Sequence, residues 1–174
     1  MSHENKVSLF MDNLLTSLST SQFSLRPSQE SDRPFLFMLY AAINSHELDS
    51  MHIDPLRRDT YLMSRFSIEH RKFSEEFPKA EMVIIFQDDE PIGRLYFEQL
   101  ESEFYLIDLS LMPAHQRHGI GSSLINNIKK HAGQNPVVVE VEQTNSAIDF
   151  FLACEFEDVG KEDIYIILEY KEKP

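Results

Sequence analysis

The sequence predicts an α/β (α+β) fold in three layers: a central mixed sheet, mostly antiparallel, with helices on both faces. Three observations carry that expectation. Residues 81–87 and 92–99 are short runs rich in β-branched and aromatic side chains on either side of the acidic turn Asp88-Asp89-Glu90-Pro91, which reads as an antiparallel hairpin. Residues 106–141 run strand, helix, strand, and a crossover helix makes the two strands it joins parallel. The chain has 174 residues, 42% of them hydrophobic, which is enough for one domain with a real core and too little for two.

In chain order, residues 1–20 carry Val7, Phe10, Met11, Leu14, Leu15 and Leu18 at i, i+3, i+4 spacing. This is an amphipathic helical extension ahead of a single domain at residues 21–174. Its stripe must be covered, either by the chain's own domain or in a homodimer contact. Residues 22–26 read as a first strand ended by Pro27-Ser28, after which Ser31-Asp32 caps a helix through Ile43 with Pro34 in its first turn. Residues 46–55 form a polar break. Residues 59–77 form a second helix with Leu62, Met63, Phe66, Ile68 and Phe73 on an imperfect apolar face. After the hairpin, residues 100–103 turn the chain into the strand 106–112. The helix 119–132, a stop at Gly133, the strand 137–141, a short helix 146–154 and a final strand 164–170 complete the chain.

Sixteen Lys and Arg against 29 Asp and Glu leave a formal charge of −13, which repels phosphate backbones and argues against nucleic acid as a partner. A cationic partner suits that balance better, although an acidic surface also serves solubility alone. Cys154 is the single cysteine, so no intrachain disulfide can form. Its neighbours Phe150, Phe151 and Phe156 suggest a buried thiol, usually inert packing. No apolar run is long enough for a membrane span and the first residues do not read as a signal peptide, so no membrane association and a cytoplasmic location are expected. The histidines are scattered, with neither a His-Glu-x-x-His nor a paired-Cys spacing, so no metal is expected.

The chemistry concentrates in the run from Leu109 to Leu124. An apolar strand stops at Pro113, which cannot donate to a sheet ladder. Gly119 and Gly121 then open a helix whose apolar repeat is Ile120, Leu124, Ile125 and Ile128. Free N–H groups in a first helical turn, together with the helix dipole, favour an anion, and residues without Cβ let a ligand approach the backbone. A pyrophosphate suits such a place. Two other readings stand beside this one: glycines that only satisfy a tight turn, and a dinucleotide fold with Glu140 or Glu142 as its ribose-binding acid. The second lacks a third Gly or Ala, since Leu124 occupies that position, and has six residues between strand and first glycine.

The loop Gln116-Arg117-His118-Gly119-Ile120-Gly121 resembles the acetyl-coenzyme A loop, Gln/Arg-x-x-Gly-x-Gly/Ala, of the GCN5-related N-acetyltransferase (GNAT) family. A second block, residues 145–156, resembles that family's Asn-x-x-Ala-x-x-Leu/Phe-Tyr-x-x-x-Gly-Phe helix. The resemblance covers about residues 22–170. It implies a GNAT-type fold, in which the two strands flanking the crossover helix splay apart and admit the pantetheine arm. It also implies an N-acetyltransferase moving acetyl from acetyl-coenzyme A (acetyl-CoA) directly to a primary amine of a small molecule or protein.

The same resemblance assigns cofactor-binding positions. Main-chain groups of Leu109, Ser110 and Leu111 would meet the pantetheine, one N–H acting as oxyanion donor. Gln116, Arg117, His118, Gly119, Ile120, Gly121 and Ser122 would surround the pyrophosphate, and Asn145 and Phe151 belong to the second block. The base that frees the attacking amine of its proton would be Glu103 or, second, Asp108, with Tyr105 at a matching position. Phe151 stands where the family has a Tyr that protonates the departing thiolate, and Glu155 where it has Gly. The lost hydroxyl keeps an alternative open, a non-catalytic acyl-CoA-binding module of the same fold.

Overall fold

The computed structural model describes residues 3–45 and 54–173. Most of the expected polar break therefore lies outside the described residues. The elements are α1 (His3–Leu18), β1 (Ser24–Pro27), α2 (Arg33–Ile43), α3 (Pro55–Glu76), β2 (Glu81–Gln87), β3 (Glu90–Gln99) and β4 (Phe104–Leu111). They continue with α4 (Ile120–Ala132), β5 (Val137–Glu142), α5 (Ala147–Ala153), β6 (Glu157–Glu162) and β7 (Tyr165–Tyr170). The strands form one sheet in the order β1-β2-β3-β4-β5-β7-β6. Among the described residues β4 and β5 are the one parallel pair, joined by the crossover helix α4. The fold is the three-layer mixed sheet that the sequence predicts.

Each face of the sheet has its own core. On one side Leu14, Leu15 and Leu18 of α1 meet Ile120, Leu124, Ile125 and Ile128 of α4 over Val83, Leu95, Phe97, Leu106 and Val139. Met11, Leu14, Leu15 and Leu18 of the α1 stripe are thus covered by the chain's own core, and Asn127 of α4 donates its side-chain amide to the last carbonyl of α1, at Leu18, over 2.9 Å. On the other side α2 and α3 pack Phe35, Leu36, Leu39, Leu62 and Phe66 over Ile84. Val83, Ile84 and Ile85 are all fully buried, so both faces of β2 are covered and its continuous apolar run follows from that.

Several boundaries differ from the sequence reading, each for a local reason. Asp88 and Asp89 both adopt positive φ (48° and 65°), the geometry of a tight two-residue hairpin loop, so Glu90 and Pro91 join β3 instead of the turn. Pro91 is tolerated because the register shifts between Ile85 and Phe86 opposite it. Asp32 does not cap α2 with its side chain. It accepts two hydrogen bonds of 2.7 Å from Arg26 and one of 2.8 Å from the Gln29 N–H, and the Arg26 guanidinium holds its carboxyl below the usual range. α3 begins at Pro55, four residues before the expected start, with proline in the first turn where its missing N–H costs nothing. The strand β6 went unread because Glu-Asp-Val-Gly-Lys-Glu has no apolar alternation; it is an edge strand exposed along most of its length.

Candidate active site

The site begins with an extra residue in β4. Opposite β3, Tyr96 pairs with Asp108 and Phe97 with Leu106, so Ile107 is unpaired and forms a β-bulge. The parallel pairing with β5 covers only Phe104 to Leu106 against Val137 to Val139 and ends at that same point. A bulge bends its strand and increases its twist, which turns the second half of β4 away from β5 and opens a wedge between them. The splayed strands expected from the resemblance therefore have a physical cause in this chain.

Which main-chain groups face the wedge follows from alternation along β4. The Met112 N–H donates to Ile92 O of β3 over 2.8 Å. In an antiparallel ladder the hydrogen-bonding side alternates, so Ser110 also faces β3 while Leu109 and Leu111 present their main chain to the wedge. The Leu111 carbonyl is already met there, by the side-chain amide of Gln116 at 2.9 Å. Of the three residues expected along a pantetheine arm, Leu109 keeps both main-chain groups on the open side, and Leu111 keeps its N–H.

Beyond β4 the chain makes one tight turn at Pro113–His115, pinned by a 3.1 Å contact between His115 Nδ1 and Gln87 Oε1. It then passes through Arg117 at φ 64° and Gly119 at φ 83° before entering α4. Left-handed backbone turns successive N–H groups toward one concave side, an arrangement that binds anions. No side chain caps α4, so the N–H groups of its first turn have no partner within the helix. Gln116, Arg117, His118 and Gly119 are exposed, whereas the Ile120 side chain is buried in the core and only its main chain can serve a ligand.

The two glycines act differently. At Gly119 an added Cβ would meet nothing within 4 Å, so glycine is needed for its φ alone. At Gly121 an added Cβ would lie 3.3 Å from Phe150 Cζ, so glycine lets the α5 aromatic pack against the start of α4. The uncapped helix, the left-handed loop and the bare glycine backbone fit a diphosphate held by main-chain N–H groups.

In the second block, the Asn145 side-chain oxygen accepts the Ala147 N–H at 2.9 Å and builds the turn into α5. Phe151 is 5% exposed and edge-on to Phe150 and Phe156 at 5.1 and 5.3 Å between centroids. Glu155, in the family's glycine position, takes φ 64°, and the Phe156 N–H reaches back to Phe151 O at 3.1 Å. The helix thus ends in the left-handed cap that glycine normally provides. Burial pushes the Cys154 thiol up, as suits packing and not nucleophilic work.

The two carboxylates expected as bases lie in contrasting places. Glu103 sits in the turn before β4, on the closed side of the wedge. Six residues of strand, about 20 Å at ~3.3 Å per residue, separate it from Leu109. Asp108 is engaged: Oδ2 accepts from Arg94 Nε at 2.8 Å and Oδ1 from the Ser110 hydroxyl at 3.0 Å. Arg94, 6% exposed, also reaches Glu69 Oε1 of α3 at 3.3 Å, so one buried cation ties α3, β3 and β4 together. Burial pushes the Glu69 carboxyl up against the pull of Arg94. Neither Arg94 nor Glu69 stands out in the sequence, since nothing local says that residues 25 positions apart will meet.

At the vertex of the wedge lies a cavity of about 510 Å³ lined by Phe73, Glu76 and Phe77 of α3, Tyr105 to Ile107 of β4, Glu140 of β5, and Glu162, Asp163 and Tyr165 of the last hairpin. Glu140 directly follows Val139, the last β5 residue paired with β4. Tyr105 faces Glu140, and burial together with that carboxylate raises its phenol. The rings of Phe77 and Tyr105 stack at 5.8 Å. No helix among the described residues is long and apolar enough to cross a membrane.

Comparison with known proteins agrees with this geometry. No curated protein sequence matches the chain. Among solved structures, an acetyltransferase from Thermus thermophilus aligns at TM-score 0.63 and 19% identity, covering 87% of this chain and 97% of that one. A PaiA N-acetyltransferase from Thermoplasma acidophilum in complex with coenzyme A aligns at TM-score 0.61 and 18% identity, covering 86% and 99%. RimL, a ribosomal L7/L12 α-N-protein acetyltransferase also in complex with coenzyme A, aligns at TM-score 0.58 and 18% identity, covering 87% and 95%. A model of the acetyltransferase (GNAT) family matches residues 45–156, so the chain, with its bulged fourth strand and glycine loop, belongs to the GNAT acetyltransferase family.

Proposed function

We propose that this protein transfers the acetyl group of acetyl-CoA directly to a primary amine of a small molecule or protein. The observation that carries the reading is the juxtaposition of the Ile107 bulge, which opens β4 from β5, with the uncapped start of α4 at the end of the same strand. Main-chain N–H groups from Arg117 to Ser122 hold the pyrophosphate. Leu109 offers its free N–H and carbonyl to the pantetheine and its N–H to the thioester oxygen, stabilising charge that develops only as the amine attacks.

An amine with a pKa near 10.4 must shed its proton before it can attack. Asp108 is committed to Arg94 and Ser110, and Glu103 is remote along the strand. Glu140 lines the vertex cavity and forms no ion pair among the described residues, so it takes the proton, directly or through water. The thiolate leaves without a tyrosine donor. A thiol with a pKa near 8.5 departs far more readily as an anion than an amine would, so the phenylalanine at 151 slows the step without forbidding it.

Calorimetric titration with coenzyme A, acetyl-CoA and NAD, followed by thiol release against an amine library, tests the reading. Binding of the first two but not NAD, with release that Glu140→Gln suppresses, is expected. Tight coenzyme A binding without release for any amine would replace the reading by a non-catalytic acyl-CoA-binding module, the alternative that Phe151 keeps open.

A further inference from the structure

The cavity at the wedge vertex has a composition that selects its occupant. Its walls are apolar and aromatic: Phe73 and Phe77 from α3, Tyr105 and Ile107 from β4, Tyr165 from β7. Its charge is one-sided. Lys72 lies 3.7 Å from Glu76 and offsets it, while Glu140, Glu162 and Asp163 form no ion pair among the described residues. These carboxylates come from different parts of the fold, Glu140 from the β5 side of the vertex and Glu162 and Asp163 from the end of β6 and its turn into β7. A volume of about 510 Å³ falls within the ordinary range for small-molecule sites.

We propose that the acceptor is a linear diamine or polyamine, with its reacting nitrogen at Glu140, its methylene stem between the aromatic walls, and a distal ammonium between Glu162 and Asp163. This deepens the acetyltransfer reading and rests on it for the direction of attack. A single ammonium would pair with one of the three exposed carboxylates at the cavity and leave the other two without a cation. An anionic or sugar-like acceptor would meet apolar rings where it needs donors. Aromatic faces attract cations as well as covering alkyl chains, so the walls and the charge favour the same chemistry. Burial is the main cause that raises the Tyr105 phenol, and the negative charge of Glu140, Glu103 and Glu162 adds to it.

The proton balance closes. The reacting ammonium loses one proton to Glu140, its nitrogen bonds the acetyl carbon, the carbon–sulfur bond breaks with its electrons on sulfur, the second proton shed by that nitrogen goes through water to the thiolate, and the distal ammonium stays charged throughout. The product carries one positive charge fewer and one bulky amide more, so it fits the cavity less well than the substrate does.

Calorimetric titration of the full chain with spermidine, putrescine and 1-aminobutane at low salt tests the proposal without requiring turnover. Spermidine is expected to bind at least tenfold tighter than 1-aminobutane, with putrescine between them. Glu162→Gln combined with Asp163→Asn should weaken spermidine at least tenfold and leave coenzyme A binding unchanged. A charge-matched control on exposed positions elsewhere, Asp12→Asn with Asp89→Asn, should change spermidine affinity less than twofold. Equal affinity for the mono- and triamine, no binding at millimolar spermidine, or equal losses in both double variants would each overturn it, the last by assigning the effect to the overall charge of −13. Failure of coenzyme A to bind would overturn the acetyltransfer reading instead, a result visible in the same titrations.

Discussion

Arg94 Nε stands 2.8 Å from Asp108 Oδ2, inside a protein that leaves only 8% of the arginine side chain exposed. The pair lies on adjacent strands, at the level where β4 has just bulged, and Arg94 continues to Glu69 on α3. A buried guanidinium is tolerated only when its donors find acceptors, and here two carboxylates from separate elements supply them. α3 is thereby anchored to the strand that borders the wedge.

Removing one member of such a pair strands the others. Arg94→Met is expected to cost about 3 kcal/mol of folding stability, because Asp108 and Glu69 lose their shared cation in a partly desolvated place. Urea unfolding followed by circular dichroism measures it. Arg94→Lys should fall between, since an ammonium keeps the charge but not the planar fork that reaches both acceptors.

Gly119→Ala separates conformation from sterics, as the added methyl meets no atom within 4 Å. The left-handed φ of 83° should cost about 1–2 kcal/mol. Coenzyme A affinity should fall roughly tenfold as the N–H groups around Ile120 tilt, equivalent to about 1.4 kcal/mol. Thermal unfolding and calorimetric titration on the same variant read the two effects independently.

Glu155→Gly is expected to stabilise the chain. Glu155 holds φ 64° at the end of α5 and is itself largely exposed, so its contact with Lys129 contributes little. Glycine removes the steric cost of the left-handed cap, a gain of about 1 kcal/mol, visible as a raised midpoint in urea. Lys129 keeps its bond to the Cys154 carbonyl and its place over the Tyr170 ring, so the helix end stays where it is.

Acidification should destabilise the fold through His70. Burial, with Arg33 and Arg94 adding positive charge, lowers its pKa below the ordinary 6.5. The unfolded chain therefore binds a proton that the folded one refuses, and stability present above pH 6.5 is lost as pH falls through the folded value. The melting temperature should drop between pH 7.5 and 5.0, and His70→Gln should lessen that drop. His131, lowered by burial as well, keeps part of the slope.

The elements most legible in the sequence were those specified by neighbours in the chain. Ile120, Leu124, Ile125 and Ile128 mark one helix face by spacing alone, and the runs around Asp88-Asp89 mark a hairpin by alternation and turn chemistry. Gly119 could be read because a left-handed position at a helix start is a local demand. Asp108, in contrast, could be read as a candidate base but not as the partner of Arg94, which is 14 residues away and reaches it only through strand register. The strand β6 stayed hidden because an exposed edge imposes no apolar period.

By itself the sequence determined the order of the strands and helices other than β6, the glycine loop and the family to which they belong, because each rests on contacts or backbone preferences within a few residues. Only the tertiary structure decided where the wedge opens, since the Ile107 bulge is a matter of how two strands count against each other. It alone decided which carboxylates an arginine holds, as Arg94 holds Asp108 and Glu69. Charge compensation depends on distance in space, and the lining of the vertex cavity is gathered from four stretches of chain between residues 72 and 165.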